Sequence, residues 1–312
     1  MKIKLRGKRV IKAFILIGLS LTISLFSANL YTANSNSLAQ PVPTAATPTK
    51  TIAQNPPFGN PPPNLLKPPK PQILPSPPAT PTPKPSQQPL VFAPSAQFRS
   101  QIVYKASISN SKVIALTFDD GPTPETLKIL EVLRKHNVVA TFFCLGANLR
   151  ENPEIAKQVV KAGNAIGNHT WHHYYHNVTE KTASDEIDNT GVHIYRSTGA
   201  KSLLFRPPGG RLNNGFADYA KKKNYVVVMW SIDPKDFLQP PAAAIARSVL
   251  SQATSGAIVL LHDGGGDRQQ TVEALSAIIP KLKQQGYRFV TVPQLLQMQA
   301  AQKQQTADQK PK

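Results

Sequence analysis

The sequence predicts one α/β domain, an irregular (β/α) barrel of seven strands, preceded by a disordered proline-rich linker. Beyond about residue 95, seven short apolar runs alternate with amphipathic stretches, which is the pattern of a parallel sheet or barrel. Five of these runs end in a polar cluster. Because the carboxyl ends of parallel strands meet at one rim, where such folds build active sites, the pattern indicates an enzyme.

The strands and helices of this domain can be placed along the chain. Strands are expected at 113–118, 140–145, 165–167, 203–205, 225–232, 257–261 and 288–292. Helices are expected at 125–135, 154–162, 242–252 and 272–285. The catalytic domain is therefore predicted to span 110–298, with a polar tail at 299–312.

Residues 1–39 have the pattern of a targeting segment. A start rich in Lys and Arg is followed by an apolar stretch from about Val10 to Leu30. Ser37-Leu38-Ala39 offers small residues for cleavage, yet the stretch is also long enough to span a bilayer as an uncleaved anchor. We therefore expect an exported chain, either secreted or membrane-anchored, that acts in the cell envelope or periplasm.

The segment 40–100 is predicted to be a linker. Residues 40–94 hold 19 of the 30 prolines of the chain, mixed with Thr, Ser, Gln and Lys. Such a segment cannot bury enough apolar surface to order itself and is expected to form a stiff, polyproline-like tether. It is either a spacer that carries the domain away from a membrane or disordered filler.

Charge is distributed unevenly along the chain. The formal net charge is +19, and all 17 acidic residues lie at Asp119 or later. Between Arg99 and Arg288, 23 basic residues face 16 acidic ones, a net charge of +7. No arginine-rich face with interleaved aromatic residues is present, so nucleic acid is not an expected partner. Attraction to an anionic envelope polymer explains the charge better, and a monomer is expected.

The single cysteine excludes an intramolecular disulfide bond. Cys144 lies in the apolar run 140–145, which favours burial over a catalytic role.

Two carboxylates, Asp119 and Asp120, follow the first predicted strand. Gly121-Pro122 ends the strand, so both side chains can face one site. An Asp-Asp-Gly-Pro sequence alone is typical of a turn, but its position beside the other polar clusters favours a site.

His169 and His173 have the His-x-x-x-His spacing that brings two imidazoles to one side of a helix or tight turn. The alternative is a surface loop with several histidines. With Asp120 as the available third ligand, the set suits Zn²⁺ first, or Co²⁺ or another divalent ion.

Five short motifs together resemble those of the polysaccharide deacetylases, the NodB-homology group of carbohydrate esterase family 4. In chain order they are Thr-Phe-Asp-Asp at 117–120, His-Thr-x-x-His at 169–173, Arg-Pro-Pro-Gly-Gly at 206–210, Asp-x-x-Asp-Phe at 233–237 and Leu-x-His at 260–262. The resemblance covers roughly residues 110–295. It implies the NodB-homology barrel and a metal-dependent hydrolase that removes N-acetyl groups from a polysaccharide.

The resemblance also implies a role for each matching residue of the first three motifs. Asp120, His169 and His173 would hold the metal. Asp119 would be the general base that acts on the attacking water, and Arg206 would keep that carboxylate charged and oriented.

The remaining implied roles concern the leaving group and the acetyl group. His262 would be the general acid, held protonated by Asp236. Leu260 would line the pocket for the acetyl methyl group, and the backbone N–H of Gly209 would stabilise the oxyanion.

Two residues depart from the family pattern. Gly209 stands where tyrosine is usual, which removes a ring from the groove wall, and Phe237 stands where tryptophan is usual. Both departures concern the substrate and its length, not the reaction. The family assigns no role to Trp171, His172 or His176, which are expected in an exposed loop or groove.

The sequence therefore predicts an exported N-deacetylase, with peptidoglycan N-acetylglucosamine as the first choice of substrate. Chitin oligomers and an exopolysaccharide are alternatives, as is an inactive relative that only binds glycan. A zinc protease is a weaker alternative, because its His-Glu-x-x-His signature is absent.

Overall fold

The computed structural model describes residues 89–308. The predicted targeting segment 1–39 and most of the predicted linker lie outside this range. Within it, no helix has the length and apolar character needed to cross a membrane.

Ten strands and eight helices make up the described part of the chain. The strands are β1 Val91–Phe92, β2 Ile102–Val103, β3 Val113–Asp119, β4 Thr141–Cys144, β5 Ala165–Asn168, β6 Lys201–Ser202, β7 Leu204–Phe205, β8 Val226–Val228, β9 Ala257–His262 and β10 Arg288–Phe289. The helices are α1 Pro124–Lys135, α2 Gly146–Glu151, α3 Pro153–Lys161, α4 Glu180–Thr198, α5 Phe216–Lys222, α6 Ala242–Gln252, α7 Gln269–Gln284 and α8 Val292–Asp308.

The seven predicted strands curl into a parallel half-barrel, which confirms the predicted fold class, and the two-residue strand β2 joins the same sheet as an eighth strand. The order in the main sheet is β10-β3-β4-β5-β7-β8-β2, and β9 pairs with β3. Every ladder of this sheet is parallel. The strands consist of continuous apolar residues because both faces of the sheet are covered by other parts of the domain. Every residue of β3, for example, is buried.

Strand register brings the polar clusters to one rim. Asp119, the last residue of β3, is the register partner of His262, the last residue of β9. Asn168 of β5 pairs with Phe205 of β7, so His169 and Arg206 leave neighbouring strands at the same level. The predicted meeting of these clusters at the carboxyl ends is therefore correct.

The helices cover the outside of the sheet with their apolar faces. In α1, Thr123 caps the first turn through its side chain and Thr126 bonds back to the Thr123 backbone. Ile129 and Leu133 of this helix are buried against the sheet. Cys144 is buried in β4, as the sequence predicts.

The folded domain begins earlier than the predicted linker boundary at residue 100. Val91–Phe92 forms β1, which pairs with β6, and Phe98 is buried. Phe98 and the half-buried Phe92, which packs against the core, provide the burial that the preceding proline-rich segment lacks, so the order extends into the end of the predicted linker.

Two predicted strands are shorter than expected by three residues or more. The apolar run 225–232 forms a ladder only over β8, after which Ile232 makes a single bridge to Val259 of β9. The run 288–292 ends as a strand at Phe289, and α8 begins at Val292. The predicted polar tail is helical to residue 308, and the buried Gln299 side chain accepts a hydrogen bond from Ser107 N.

Candidate active site

The carboxyl ends of the strands surround a cavity of about 850 Å³. Eight of the ten predicted site residues line it: Asp119, Asp120, His169, His173, Gly209, Phe237, Leu260 and His262. The other two, Arg206 and Asp236, are buried behind this wall. The structure therefore brings together every residue that the motifs single out.

Asp120, His169 and His173 form a compact group with one potential ligand atom from each. Oδ1 of Asp120 lies 3.6 Å from Nε2 of His169 and 3.4 Å from Nε2 of His173. All three ligand atoms lie within 4.8 Å of one another. The histidines lie on a turn rather than a helix, and His173 itself has a φ of 65°.

His169 is held as a neutral ligand. Its Nδ1 lies 2.7 Å from the carbonyl oxygen of Arg206, which can only accept, so Nδ1 carries the proton and Nε2 has a free lone pair. Burial, followed by the proximity of His173, lowers the pKa of His169 to about 3. The imidazole is therefore neutral at physiological pH, as metal ligation requires.

The fit of this group to a cation can be tested on Asp120. Its Oδ1 atom is buried and has no hydrogen-bond donor within residues 89–308. A buried carboxylate oxygen without a donor is costly unless a cation or an ordered water occupies the space beside it. Two imidazole nitrogens and this oxygen form the mixed nitrogen and oxygen set that suits a divalent metal.

Asp119 and Arg206 form a buried ion pair. Nη1 of Arg206 donates to Oδ1 of Asp119 at 2.8 Å and also to Oγ1 of Thr117 at 2.8 Å. Burial raises the pKa of the Asp119 carboxyl, and the positive charge of Arg206 opposes the rise without cancelling it. The predicted pairing is present, but the net effect is a stronger base rather than a carboxylate with a lowered pKa.

His262 and Asp236 form the second pair at the rim. Nδ1 of His262 lies 2.7 Å from Oδ1 of Asp236, whose Oδ2 accepts from the His262 backbone N–H at 2.9 Å and from Oγ1 of Thr271 at 2.8 Å. Burial lowers the pKa of His262, but the hydrogen bond and charge of Asp236 outweigh it, so the pKa is raised overall. The charges of Asp119 and Asp120 add to the rise.

Comparison with known proteins identifies the family. The polysaccharide deacetylase family model matches residues 106–228. A peptidoglycan-N-acetylglucosamine deacetylase of Bacillus cereus is 48% identical over 193 residues, which cover 60% of this chain and 90% of that protein. The chain belongs to the polysaccharide deacetylase family.

Solved structures of this family share the fold. A peptidoglycan N-acetylglucosamine deacetylase crystallised with 4-naphthalen-1-yl-N-oxidanyl-benzamide superposes with a TM-score of 0.60 at 37% identity, covering 64% of this chain and 94% of that one. A pseudoenzyme of carbohydrate esterase family 4 from Bacillus anthracis superposes with a TM-score of 0.58 at 31% identity, covering 63% and 69%. The family thus includes at least one member described as a pseudoenzyme.

In this deacetylase domain, Glu186 of α4 holds the turn that carries the histidines. Its Oε2 accepts from the backbone N–H groups of Trp171 and His172 at 2.8 and 2.7 Å, and its Oε1 lies 2.5 Å from Nδ1 of His172. Glu186 is buried, and sequence reasoning missed it. The one available signal was an acidic residue on the apolar side of a helix, since Ile187 and Ala183 beside it are also buried.

Asp263 is a second residue of the deacetylase domain that sequence reasoning missed. Its buried carboxylate accepts from Gly121 N at 3.0 Å and from Oγ1 of Thr126 at 2.6 Å, and its backbone N–H donates to the Asp119 carbonyl oxygen at 2.9 Å. Asp263 thereby ties the turn after β3 to the end of β9. Its position directly after His262 was the available signal.

The cavity wall beside Gly209 does contain an aromatic ring, that of Tyr175. Tyr175 lies so close that a Cβ atom placed on Gly209 would be 2.7 Å from Cε1 of Tyr175. Gly209 has a φ of 57° and is exposed at the cavity, where the backbone N–H has no acceptor within residues 89–308. Leu260 is buried in the cavity floor, while Phe237 is exposed at the rim with its ring 5.8 Å from that of His262.

The residues without a family role lie outside the cavity. Trp171 is half-buried with its ring against His193, and His172 and His176 are exposed on the same loop, as the sequence predicts. His136 ends α1 and His193 lies within α4.

Proposed function

We propose that the protein is a metal-dependent N-deacetylase that acts on N-acetylglucosamine of peptidoglycan. One observation carries the proposal. The buried pair Asp119–Arg206 and the rim pair His262–Asp236 lie in one cavity with Asp120, His169 and His173. Hydrolysis of an amide needs a base for water and an acid for the departing amine, and the two pairs can supply them.

Asp120, His169 and His173 would hold the divalent ion, with Zn²⁺ as the first choice and Co²⁺ as the alternative. When bound, such an ion polarises the acetyl carbonyl and lowers the pKa of water at the site. His169 contributes a lone pair at Nε2 because the carbonyl oxygen of Arg206 keeps the proton on Nδ1.

Asp119 is the proposed general base. Its Oδ1 is occupied by Arg206, whereas Oδ2 faces the histidine side of the cavity, 3.7 Å from Nε2 of His169. Burial raises the pKa of this carboxyl, which brings it closer to the pH at which the enzyme works and so improves it as a base. Arg206 fixes the carboxylate so that only Oδ2 is free to take the proton of the attacking water.

His262 is the proposed general acid. Because Asp236 binds Nδ1, the proton available to the substrate is the one on Nε2. An amine anion is a very poor leaving group, so Nε2 must donate to the sugar nitrogen as the carbon–nitrogen bond breaks. Asp236, locked by Thr271 and by the His262 backbone, keeps the imidazole charged until then.

Gly209 and Leu260 are proposed to bind the acetyl group. Gly209 lines the cavity, and its backbone N–H would donate to the oxyanion of the tetrahedral intermediate. The Leu260 side chain, 4% exposed, offers an apolar surface to the methyl group. Phe237 contributes an apolar wall at the rim.

The choice of peptidoglycan is supported by similarity and by the chain's own sequence. The Bacillus cereus relative is a peptidoglycan-N-acetylglucosamine deacetylase. The solved structure that superposes with a TM-score of 0.60 is also that of a peptidoglycan N-acetylglucosamine deacetylase. A targeting segment at 1–39 and a linker after it would place the domain in the envelope, secreted or membrane-anchored. A net charge of +7 over Arg99–Arg288 favours an anionic wall polymer.

An inactive glycan-binding protein is the alternative from a different class, since the family contains a pseudoenzyme. The intact pairs Asp119–Arg206 and His262–Asp236 argue against it. A protein that only binds glycan has no need for a buried charged base and a separate acid.

The deciding experiment is acetate release by the purified domain with added Zn²⁺ or Co²⁺. Peptidoglycan, β-1,4-linked N-acetylglucosamine oligomers and a β-1,6-linked N-acetylglucosamine polymer are compared side by side. Acetate from peptidoglycan first is the expected result. Faster acetate release from either of the other two glycans would identify that glycan as the substrate. If none of the three glycans released acetate, the protein would be the inactive glycan-binding relative.

A further inference from the structure

We propose that Tyr175 is the aromatic wall on which a pyranose ring of the glycan stacks, next to the residue being deacetylated. The inference rests on the proposed function and concerns how substrate binds, not how the bond is broken. It makes Tyr175 a specificity residue, which neither the family motifs nor the comparisons assign.

Tyr175 is a large aromatic side chain that the fold leaves open to the cavity. Its side chain is 51% exposed, although the cavity places it beside His173. The rings of His173 and Tyr175 meet edge to face at 4.8 Å and 89°. Trp230 and Phe237 line the same cavity, so aromatic surface is presented from three separate segments. Aromatic surface beside convergent polar groups is typical of a ligand site.

The Tyr175 ring is held in place before any substrate binds. It meets the His173 ring edge to face, and it lies against Gly209, where an added Cβ atom would be 2.7 Å from Cε1 of Tyr175. The neighbouring side chains of the loop pack away from the cavity: Tyr174 stacks on His172 at 5.1 Å and lies 4.9 Å from His176. Because His172 is bonded to Glu186, this outer stack is anchored to α4.

Within residues 89–308, the hydroxyls of Tyr219 and Tyr287 donate hydrogen bonds to neighbouring residues, whereas the Tyr175 hydroxyl makes no such bond. A tyrosine that served only to pack the loop would bury its ring or bond its hydroxyl. Tyr175 instead stays half-exposed in the cavity, and its ring lies beside the proposed oxyanion donor, Gly209. The position fits a sugar ring bound next to the acetamide group.

A stacking wall predicts a specific kinetic effect. Stacking on a ring that does not touch the reacting atoms stabilises ground state and transition state equally, so its loss raises KM and leaves kcat unchanged. A small acetyl compound without a sugar has nothing to stack and should be indifferent to Tyr175.

The test compares Tyr175→Leu and Tyr175→Phe with the parent domain. Leucine keeps apolar bulk against His173 and Gly209 but removes the aromatic face, and phenylalanine keeps the face but removes the hydroxyl. Tyr195→Leu is the matched control, because Tyr195 is 48% exposed on α4 and does not line the cavity. Each variant is assayed with a β-1,4-linked N-acetylglucosamine tetramer and with ethyl acetate, which has no ring to stack, and its metal content is measured.

For Tyr175→Leu we expect KM for the tetramer to rise about tenfold, with kcat, hydrolysis of ethyl acetate and metal content within twofold of the parent. Tyr175→Phe and Tyr195→Leu should match the parent throughout. Three outcomes would overturn this inference but not the proposed function. They are a KM for Tyr175→Leu within twofold of the parent, loss of metal from Tyr175→Leu, and a Tyr175→Phe variant as impaired as Tyr175→Leu. A parent domain that releases no acetate from any glycan would overturn the proposed function, and this inference with it.

Discussion

The guanidinium of Arg206 binds Asp119 at 2.8 Å, while the carbonyl oxygen of the same arginine accepts the Nδ1 proton of His169 at 2.7 Å. One residue therefore orients both the proposed base and one of the proposed metal ligands. Arg206 is fully buried, and its remaining donors bind the carbonyl oxygens of Val228 and Met229 at the end of β8. The base is thus fixed to the barrel wall rather than to a mobile loop.

Replacing Asp119 by Asn should retain metal but lower kcat by about two orders of magnitude or more, because an amide cannot take a proton from water. Acetate release and metal content are measured on the same preparation. Near-parental turnover with metal bound would show that another group is the base.

Replacing His173 by Ala should remove most of the bound metal and most of the activity. His172→Ala is the matched control, since His172 is exposed and its backbone N–H still binds Glu186 after the change. Metal analysis of both variants decides the matter. Loss of metal from His172→Ala but not from His173→Ala would contradict the ligand assignment.

Glu186→Ala should weaken metal binding by about 10- to 100-fold, the usual effect of removing a residue that supports the ligands. The change leaves the backbone N–H groups of Trp171 and His172 without their acceptor, so the histidine turn loses its anchor. Asp185→Ala is the control, because this neighbouring carboxylate is exposed and pairs only with Lys181. Titration of the metal-free proteins with Zn²⁺ gives the affinities, and equal values for both variants would show that Glu186 does not support the site.

Asp236→Asn should move the alkaline limb of the rate–pH profile to lower pH. Asp236 raises the pKa of His262, so its loss lowers that pKa, and the acid is deprotonated at a lower pH than in the parent. His262→Ala should abolish the limb and most of the rate, and metal should stay bound in both variants. An alkaline limb that stays in place in Asp236→Asn would show that the carboxylate does not tune the acid.

Residues 1–39 should direct export. A reporter that works only outside the cytoplasm, joined after residue 88, should be active, whereas the same fusion without residues 1–39 should be inactive. Activity of both fusions, or of neither, would remove the export proposal and weaken the choice of peptidoglycan.

The meeting of the proposed site residues at one rim could be predicted because they follow strands. Asp119 and His262 are the last residues of buried strands, and His169 directly follows one. The carboxyl ends of parallel strands lie at one rim, so these residues are expected to meet there. The apolar runs also predicted the fold class. Strand ends were predicted less well, since the run 225–232 continues in apolar residues although the ladder stops at Val228.

The supporting residues could not be predicted, because their role depends on long-range contacts. Glu186 lies among the acidic neighbours Glu180, Asp185 and Asp188 on α4, and only tertiary packing buries it beneath the histidine turn. Likewise, the sequence indicated that Gly209 leaves the groove wall without a ring. The ring comes from Tyr175, on a different segment, which no local pattern could reveal.

The register of β3 against β9 separates chemistry from recognition. Asp119 and His262 are partners across one ladder, so hydrogen bonds between two backbones set the spacing of proposed base and acid. A slip of one residue would turn one of the two side chains to the opposite face of the sheet. The loops that shape the cavity wall, including the one with Tyr175, are not part of that ladder. Changes in these loops leave the acid–base distance intact, but the loop with Tyr175 also carries His173. Only the part of that loop beyond His173 can therefore be exchanged to redirect the deacetylase toward other glycans.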